Sequence, residues 1–348
     1  MIFKIHGGNN IHGENNDIIE TTLLSDFDKQ WVQYCENYKK LPSRLGPQRR
    51  IIVIGDIHGD FDVLVNLLSR ASVINKNNPN IWTGGDTKVV QVGDQIDSRN
   101  RFDNNYTENY SDIKILHYLT KLHNEAEKVG GAIYSLLGNH ELMNVLGDFR
   151  YVSDNGFLDL DTETKFTNMA AGKAERARMF KPGNELSKFL ACTRQVAIII
   201  GNNLFVHGGI MPFVSENYKI TDINRLMTLY LWNVLNDKDI NDYKKIFDNM
   251  DMSPLWTRAF GDLKKYPQKC DELMAPLFKM YSVGKIFVGH TIVSNEKKIE
   301  TSCNDRVYHV DIGASKAMKN KNELEGVRTV IPGAQIVEIL DDKNYNLL

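Results

Sequence analysis

Eight short apolar runs punctuate the chain, at 49–54, 89–92, 132–137, 196–200, 204–206, 285–288, 307–310 and 335–340. Each is too short for a helix and most are rich in Val and Ile, so each predicts a buried strand. Between the first three, the spacing becomes helical. Apolar residues at 61, 64, 65, 68 and 71 fall on one face and predict a helix over 61–71. Ile115, Leu116, Leu119, Leu122, Ala126 and Val129 mark a second helix, with Ser111 as its cap and Gly130 at its stop. Strand, helix, strand, helix, strand opens a layered α/β fold. Two segments leave this rhythm. Residues 145–190 are polar with a helical end at 169–179, and residues 214–282 are mostly helical, including 223–235 and 243–250. Both read as insertions over one end of the sheet, within a single domain spanning 49–345. Residues 1–48 read as an N-terminal extension holding one amphipathic helix at about 23–38. Its role is open between bracing the domain and covering the site.

Composition narrows the class. The 348 residues are long enough for a large core, and 42% hydrophobic with 25% charged residues is a globular balance. A net charge of −2 gives no overall pull toward nucleic acid or an anionic membrane. Cys35, Cys192, Cys270 and Cys303 lie far apart with no CxxC pair, which argues against a disulfide framework or a thiolate zinc site and fits a reducing compartment. The first residues are too short for a signal sequence, and no run approaches the roughly 18 apolar residues of a membrane span. The expectation is a cytoplasmic protein.

The chemistry lies where the strands stop. After five of the apolar runs come Gly55-Asp56-Ile57-His58-Gly59, Gly93-Asp94-Gln95-Ile96-Asp97, Gly138-Asn139-His140-Glu141, His207-Gly208-Gly209 and Gly289-His290-Thr291. In open α/β sheets, sites assemble at the carboxyl ends of strands, and glycine there lets the backbone approach a ligand closely. Asp56, His58, Asp94, Asn139, His207 and His290 offer three imidazoles, two carboxylates and an amide oxygen. That donor set suits Mn, Fe or Zn better than Ca. Six ligands are too many for one catalytic ion and suit two ions about 3.5–4 Å apart sharing a carboxylate. Lys4-Ile5-His6-Gly7-Gly8 also carries His-Gly-Gly, but it belongs to the weakly patterned start and His6 reads as a loop residue.

This ordered set resembles the signature of the phosphoprotein phosphatase family of binuclear metallophosphoesterases. The run Leu142-Met143-Asn144 through Gly147-Asp148-Phe149-Arg150-Tyr151-Val152 is similar, more narrowly, to the Shewanella-like branch of that family. The resemblance covers about 51–315. It implies an α/β fold with a central β-sandwich of mixed sheets flanked by helices, the calcineurin-like metallophosphoesterase fold, with largely helical insertions over the metal site. It also implies that Asp56 and His58 hold a first ion, that Asp94 bridges, and that Asn139, His207 and His290 hold a second. His140 would be the general acid, and Asp97 would hold it in position and keep it protonated. Two divalent ions are implied, manganese first, with iron, zinc or magnesium as alternatives. A metal-bridging hydroxide would attack phosphorus in line.

The family pattern places Arg directly after the second Asp. Here Ser98 intervenes and Arg99 is displaced by one residue, so Arg99 either still reaches a phosphate or faces solvent. Arg258, in Trp256-Thr257-Arg258, resembles a second phosphate clamp, and its guanidinium suits two phosphoryl oxygens. Arg150 is a further candidate, with an ion pair to Asp148 as the competing reading. The basic cluster 173–178 reads as a solvated helix rather than a substrate contact. The substrate class expected is a phosphorylated protein or peptide, on Ser, Thr or Tyr, with no membrane or nucleic-acid partner. The alternatives are a nucleotidase or dinucleoside-polyphosphate hydrolase, with Trp82, Trp232 or Trp256 stacking on a base, and a non-catalytic phosphate-binding module.

Overall fold

All eight apolar runs become strands, and among the described residues pairing recruits four more. The computed structural model describes residues 25–102, 111–294, 296, 298–320, 324 and 334–348. His6 and the first residues of the expected N-terminal helix lie outside these. One six-stranded sheet runs in the order β12 (Asn344–Leu347), β11 (Val337–Leu340), β2 (Arg50–Ile54), β3 (Lys88–Gln91), β4 (Ala132–Leu136), β5 (Arg194–Gln195). The other runs β1 (Arg44–Leu45), β6 (Ala197–Ile200), β7 (Asn203–Val206), β8 (Lys285–Val288), β10 (Val307–His309), β9 (Glu300–Ser302). The two mixed sheets flanked by helices match the fold expected from the sequence. The four strands that no apolar run predicted are short or exposed, and they are strands by virtue of their neighbours. Asn344–Leu347, for example, is a mostly exposed hairpin partner of β11.

β2, β3 and β4 are parallel neighbours, as are β7, β8 and β10. Parallel pairing needs crossovers, supplied in the first sheet by α2 (Phe61–Arg70) and α3 (Ile113–Glu127) after α1 (Asp26–Tyr34). Period-two alternation splits the core. Ile198, Ile200, Phe205 and Phe287 join the cluster containing Ile51–Ile54, while Ala197, Ile199, Leu204 and Val206 join the cluster on the helical side. Phe205, Phe287, Tyr308 and Tyr345 stack in series, with centroids 4.9, 4.7 and 5.6 Å apart.

The helices follow their sequence signals with one revealing shift. Asp60 caps α2 through the Val63 N–H. α3 begins after Asp112, not Ser111, and the Asp112 carboxylate makes no cap bond because it is engaged by Arg176 and by the Asp97 N–H. Past α4 (Asn139–Val145) come α5 (Asp154–Leu158), α6 (Met169–Phe180) and α7 (Glu185–Thr193), then α8 (Pro212–Asn217), α9 (Ile220–Trp232), α10 (Asp237–Phe247) and α11 (Cys270–Tyr281). Among the described residues, no helix is long and apolar enough to cross a membrane.

Residues 25–48 brace this body. β1 pairs in parallel with β6, and Phe27, Trp31 and Tyr34 of α1 surround the buried Trp232 ring at 5.7, 5.8 and 5.1 Å. The cysteines correct the sequence reading: Cys35 is bonded to Cys192 and Cys270 to Cys303, each with Cα atoms 5.5 Å apart, and no free cysteine remains. Spacing along the chain could not reveal this, because the partners are 157 and 33 residues apart and are brought together by α1 against α7 and by α11 against the β9–β10 turn. The argument for a reducing compartment loses its ground accordingly. Replacing Cys35 with Ser is expected to lower stability by about 2–4 kcal/mol in urea unfolding of oxidised protein. An unchanged midpoint would show that this bond does not constrain the chain.

Candidate metal centre

The parallel strands deliver their carboxyl ends to one rim. β2 leads to Asp56 and His58, β3 to Asp94 and Asp97, β4 to Asn139 and His140, β7 to His207 and β8 to His290. All eight side chains are buried. Glycine before the functional residue is a steric requirement here. A Cβ on Gly138 would lie 2.1 Å from Asp94 Oδ1, and one on Gly289 would lie 2.2 Å from Asp56 Oδ1.

Four of these residues have left-handed backbone: His58 (φ 44°), Asp94 (53°), Asp97 (74°) and His290 (64°). Such conformations cost on the order of 1–3 kcal/mol each and persist where surroundings enforce them. Each of the four N–H groups is in fact tied down. His58 donates to the Asp94 carbonyl at 2.9 Å, Asp94 to Glu141 at 3.0 Å, Asp97 to Asp112 at 3.0 Å and His290 to Asp56 Oδ2 at 3.0 Å.

Asp94 sits at the centre. Its Oδ2 lies 3.3 Å from His207 Nε2 and 3.8 Å from both His58 Nε2 and His140 Nε2. Two groups of potential ligands share it: His58, Asp94 and His140, and Asp94, His207 and His290. The donor set fits a cation. His207 Nδ1 is 2.9 Å from the Val92 carbonyl and donates to it, so Nε2 is the atom that converges with Asn139 Oδ1, at 2.9 Å, and with Asp94, and a neutral ring would offer its lone pair there to a cation. His290 Nε2 is similarly spent on the Trp256 carbonyl at 2.9 Å, which leaves Nδ1 for a ligand. Asp56 Oδ1 is buried with no hydrogen-bond partner. Burial, with Asp311 and Asp94 adding repulsion, pushes the Asp56 carboxyl well above its usual range. Burial also opposes ionisation of Asp94, but His207 and His140 outweigh it and hold that carboxyl well below the usual range.

His140 stands apart from the other histidines. Its Nδ1 meets Asp97 Oδ2 at 2.7 Å. Burial lowers its proton affinity, yet Asp94 and Asp97 reverse the balance and the imidazole is raised above its ordinary value. Asp94 and Asp97 thus differ in geometry: Asp94 faces the imidazole cluster and Asp97 faces one imidazole. Ser98 is buried, with its Oγ 2.8 Å from Ser153 Oγ, and it packs where a Cβ on Gly59 would come within 2.4 Å of its own.

A cleft of about 980 Å³ opens over the cluster, with His58, Asp94, Asn139, His140 and His290 in its floor and Arg99, Arg101, Arg150 and Arg258 in its walls. Arg150 pairs with Asp148 at 2.8 Å. Arg99 is exposed and donates to the Arg150 carbonyl at 3.3 Å. Arg258 is anchored on the His290 carbonyl and Thr291 Oγ1, at 2.8 and 3.1 Å. Of the tryptophans, Trp256 lines the cleft, whereas Trp82 does not and Trp232 is buried under α1.

Several site residues went unread in the sequence. Arg101 reaches within 3.4 Å of His58 Nδ1 and lies over the Tyr151 ring at 4.4 Å. Asp311 lines the floor just past β10. The run at 307–310 is followed by Asp311-Ile312-Gly313, a carboxylate at a strand end without the adjacent glycine that marks the other five. Arg176 corrects the solvated-helix reading of 173–178, since its side chain has no exposed surface. Lys173 and Arg178 of the same helix are exposed, as expected.

The family model for calcineurin-like phosphoesterases matches residues 49–294. Shewanella-like protein phosphatase 2 of Arabidopsis thaliana is 30% identical over 337 residues, covering 84% of this chain and 81% of that protein. An uncharacterised protein of Acanthamoeba polyphaga mimivirus is 32% identical over 252 residues, 66% of this chain and 97% of its own. A cold-active protein-tyrosine phosphatase of a Shewanella species shares the fold, with a TM-score of 0.59 at 21% identity, over 97% of this chain and 89% of that one.

Burial above all, with His207 and Arg258 assisting, lowers His290 to about 3, whereas an unfolded imidazole titrates near ~6.5. The unfolded chain therefore binds the extra proton between those values, and His290 subtracts stability as pH falls through that window. Chelator-treated His290→Gln is expected to lose less stability than chelator-treated wild type between about pH 7 and pH 4, read by thermal unfolding. Equal losses would contradict a neutral, buried His290.

Proposed function

Because the chain belongs to the calcineurin-like phosphoesterase family, and is a phosphoric monoester hydrolase of that family, we propose that it is a two-metal protein phosphatase. The observation that carries this reading is Asp94, shared by both groups of converging ligand atoms. Asp56, His58 and Asp94 would hold one ion, and Asp94, Asn139, His207 and His290 the other. The nitrogen and oxygen donors, without thiolate, suit manganese. When bound, the two ions supply a hydroxide nucleophile near neutral pH and offset charge on the phosphoryl oxygens.

The rest falls to side chains. Arg258 and Arg101 both line the cleft, beside His290 and His58 respectively, and would grip the phosphoryl oxygens. Arg101 takes the part that the displaced Arg99 leaves: it approaches His58, while Arg99 bonds the Arg150 carbonyl. His140, with Nδ1 donating to Asp97, turns Nε2 toward Asp94 and the floor, and would give that proton to the leaving oxygen. A phosphorylated protein substrate is supported by the names of the relatives, Shewanella-like protein phosphatases of Arabidopsis thaliana and Plasmodium berghei. The tyrosine-phosphatase activity named for the Shewanella structure brings phosphotyrosine within the reading.

The test is hydrolysis of p-nitrophenyl phosphate. Turnover should require added manganese, vanish with chelator and fall about 10²-fold or more in Asp94→Asn, whereas His140→Asn should lose about 10²-fold or more on phenyl phosphate, whose leaving oxygen needs the proton, and less on p-nitrophenyl phosphate. Chelator-resistant turnover would overturn the reading. For the arginines, Arg101→Met and Arg258→Met should each lower kcat/KM about 10- to 100-fold, the worth of one charge-assisted hydrogen bond. Arg150→Met should cost less than about threefold, because its exposed pair with Asp148 contributes little. Equal losses at all three positions would remove the distinction.

A further inference from the structure

Arg176, on α6 of the inserted region, is charged and completely buried. Its Nε donates to Asn144 Oδ1 at 2.7 Å. Nη1 donates to Asp112 Oδ1 and to the Gly156 carbonyl, each at 2.8 Å, and Nη2 donates to Asp112 Oδ2 at 2.9 Å. Asn144 Nδ2 in turn donates to Asp97 Oδ1 at 2.8 Å, and Asp112 Oδ2 accepts the Asp97 N–H at 3.0 Å. The four residues close a ring: Asp97, Asn144, Arg176, Asp112 and back to Asp97. Only one orientation of the Asn144 amide completes it, because a guanidinium has donors alone and a carboxylate acceptors alone.

A buried ion pair contributes little net stability compared with apolar packing of the same volume, so the fold alone gives weak reason to bury a guanidinium here. The ring does act on Asp97. It pins the left-handed main chain at φ 74° and one carboxylate oxygen, and leaves Oδ2 aimed at His140 Nδ1, 2.7 Å away. We infer that Arg176 is a positioning residue that, acting through Asn144 and Asp112, fixes the Asp97–His140 pair for proton delivery to the leaving group. The inference rests on the hydrolase reading above. In the step concerned, a water-derived hydroxide oxygen bonds to phosphorus, the bond from phosphorus to the leaving oxygen breaks with its electron pair staying on that oxygen, and the Nε2 proton of His140 moves to it. The inserted helix thereby becomes part of the acid's support.

The experiment compares phenyl phosphate, whose leaving group needs the proton, with p-nitrophenyl phosphate, which needs it far less. Wild type, Arg176→Gln and Asn144→Leu are assayed after metal content and thermal midpoint have been measured. The loss on phenyl phosphate should exceed the loss on p-nitrophenyl phosphate by about tenfold or more in both variants. Equal losses on the two esters from folded, metal-loaded protein would assign Arg176 a merely structural role and overturn the inference. Should Arg176→Gln not fold, Asn144→Leu breaks the same ring from α4 and decides by the same ratio. Wild type inactive on both esters with manganese bound would instead sink the hydrolase reading, and this inference with it.

Discussion

Four backbone N–H groups converge on the Glu141 carboxylate: Gly138 at 2.7 Å, Asp94 at 3.0 Å, Gln95 at 2.8 Å and Ile96 at 3.3 Å. The site depends on this clasp. It fastens the loop after β3 to the first turn of α4 and holds Asp94 in its left-handed conformation, with the carboxylate turned into the imidazole cluster. It also sets the place of His140, whose N–H donates to Asp94 Oδ1 at 2.9 Å. Burial, and then Asp94, raise the Glu141 carboxyl, so the clasp works against its own desolvation, and the four N–H bonds offset that cost.

The same economy runs through the whole rim. Acidic groups serve as anchors for strained backbone as often as they face the cleft. Asp56 holds His290, Glu141 holds Asp94 and Asp112 holds Asp97. What remains turned inward is an excess of oxygen and nitrogen lone pairs, from Asp56, Asp94, Asn139, His207 and His290, with Arg101 as a nearby cation. An arrangement of that kind is costly unless positive charge enters it, which is why the donor set reads as a cation site rather than as an ordinary polar core. Around Asp97 the protein supplies the charge itself, as the guanidinium of Arg176.

What could be read in the sequence followed from locality. A strand end is a local event, so glycine beside Asp, His or Asn after an apolar run marked Asp56, His58, Asp94, Asn139, His207 and His290 before any tertiary contact was known. Helices with one apolar face were equally plain. Three kinds of feature were not local. Cys35 meets Cys192 only because α1 packs on α7. Arg176 stands in a basic run whose neighbours are solvated, and nothing in that run marks the one residue facing Asp112. Arg101 comes within 3.4 Å of His58 only because of how the chain runs past the buried Ser98, and its place two residues beyond the expected arginine does not show in the sequence. Asp311 is the exception: its signal was local and simply lacked a histidine or glycine directly beside it.

On the proposed reading, Asp94 joins two metal positions into one centre. The most direct measurement is the manganese content of protein equilibrated with excess manganese and then dialysed. Elemental analysis should give two ions per wild-type chain and fewer than one in Asp94→Asn, because that substitution removes a charged ligand from both positions at once. One ion per chain in wild type, or two retained in Asp94→Asn, would contradict a shared carboxylate and with it the account of the site.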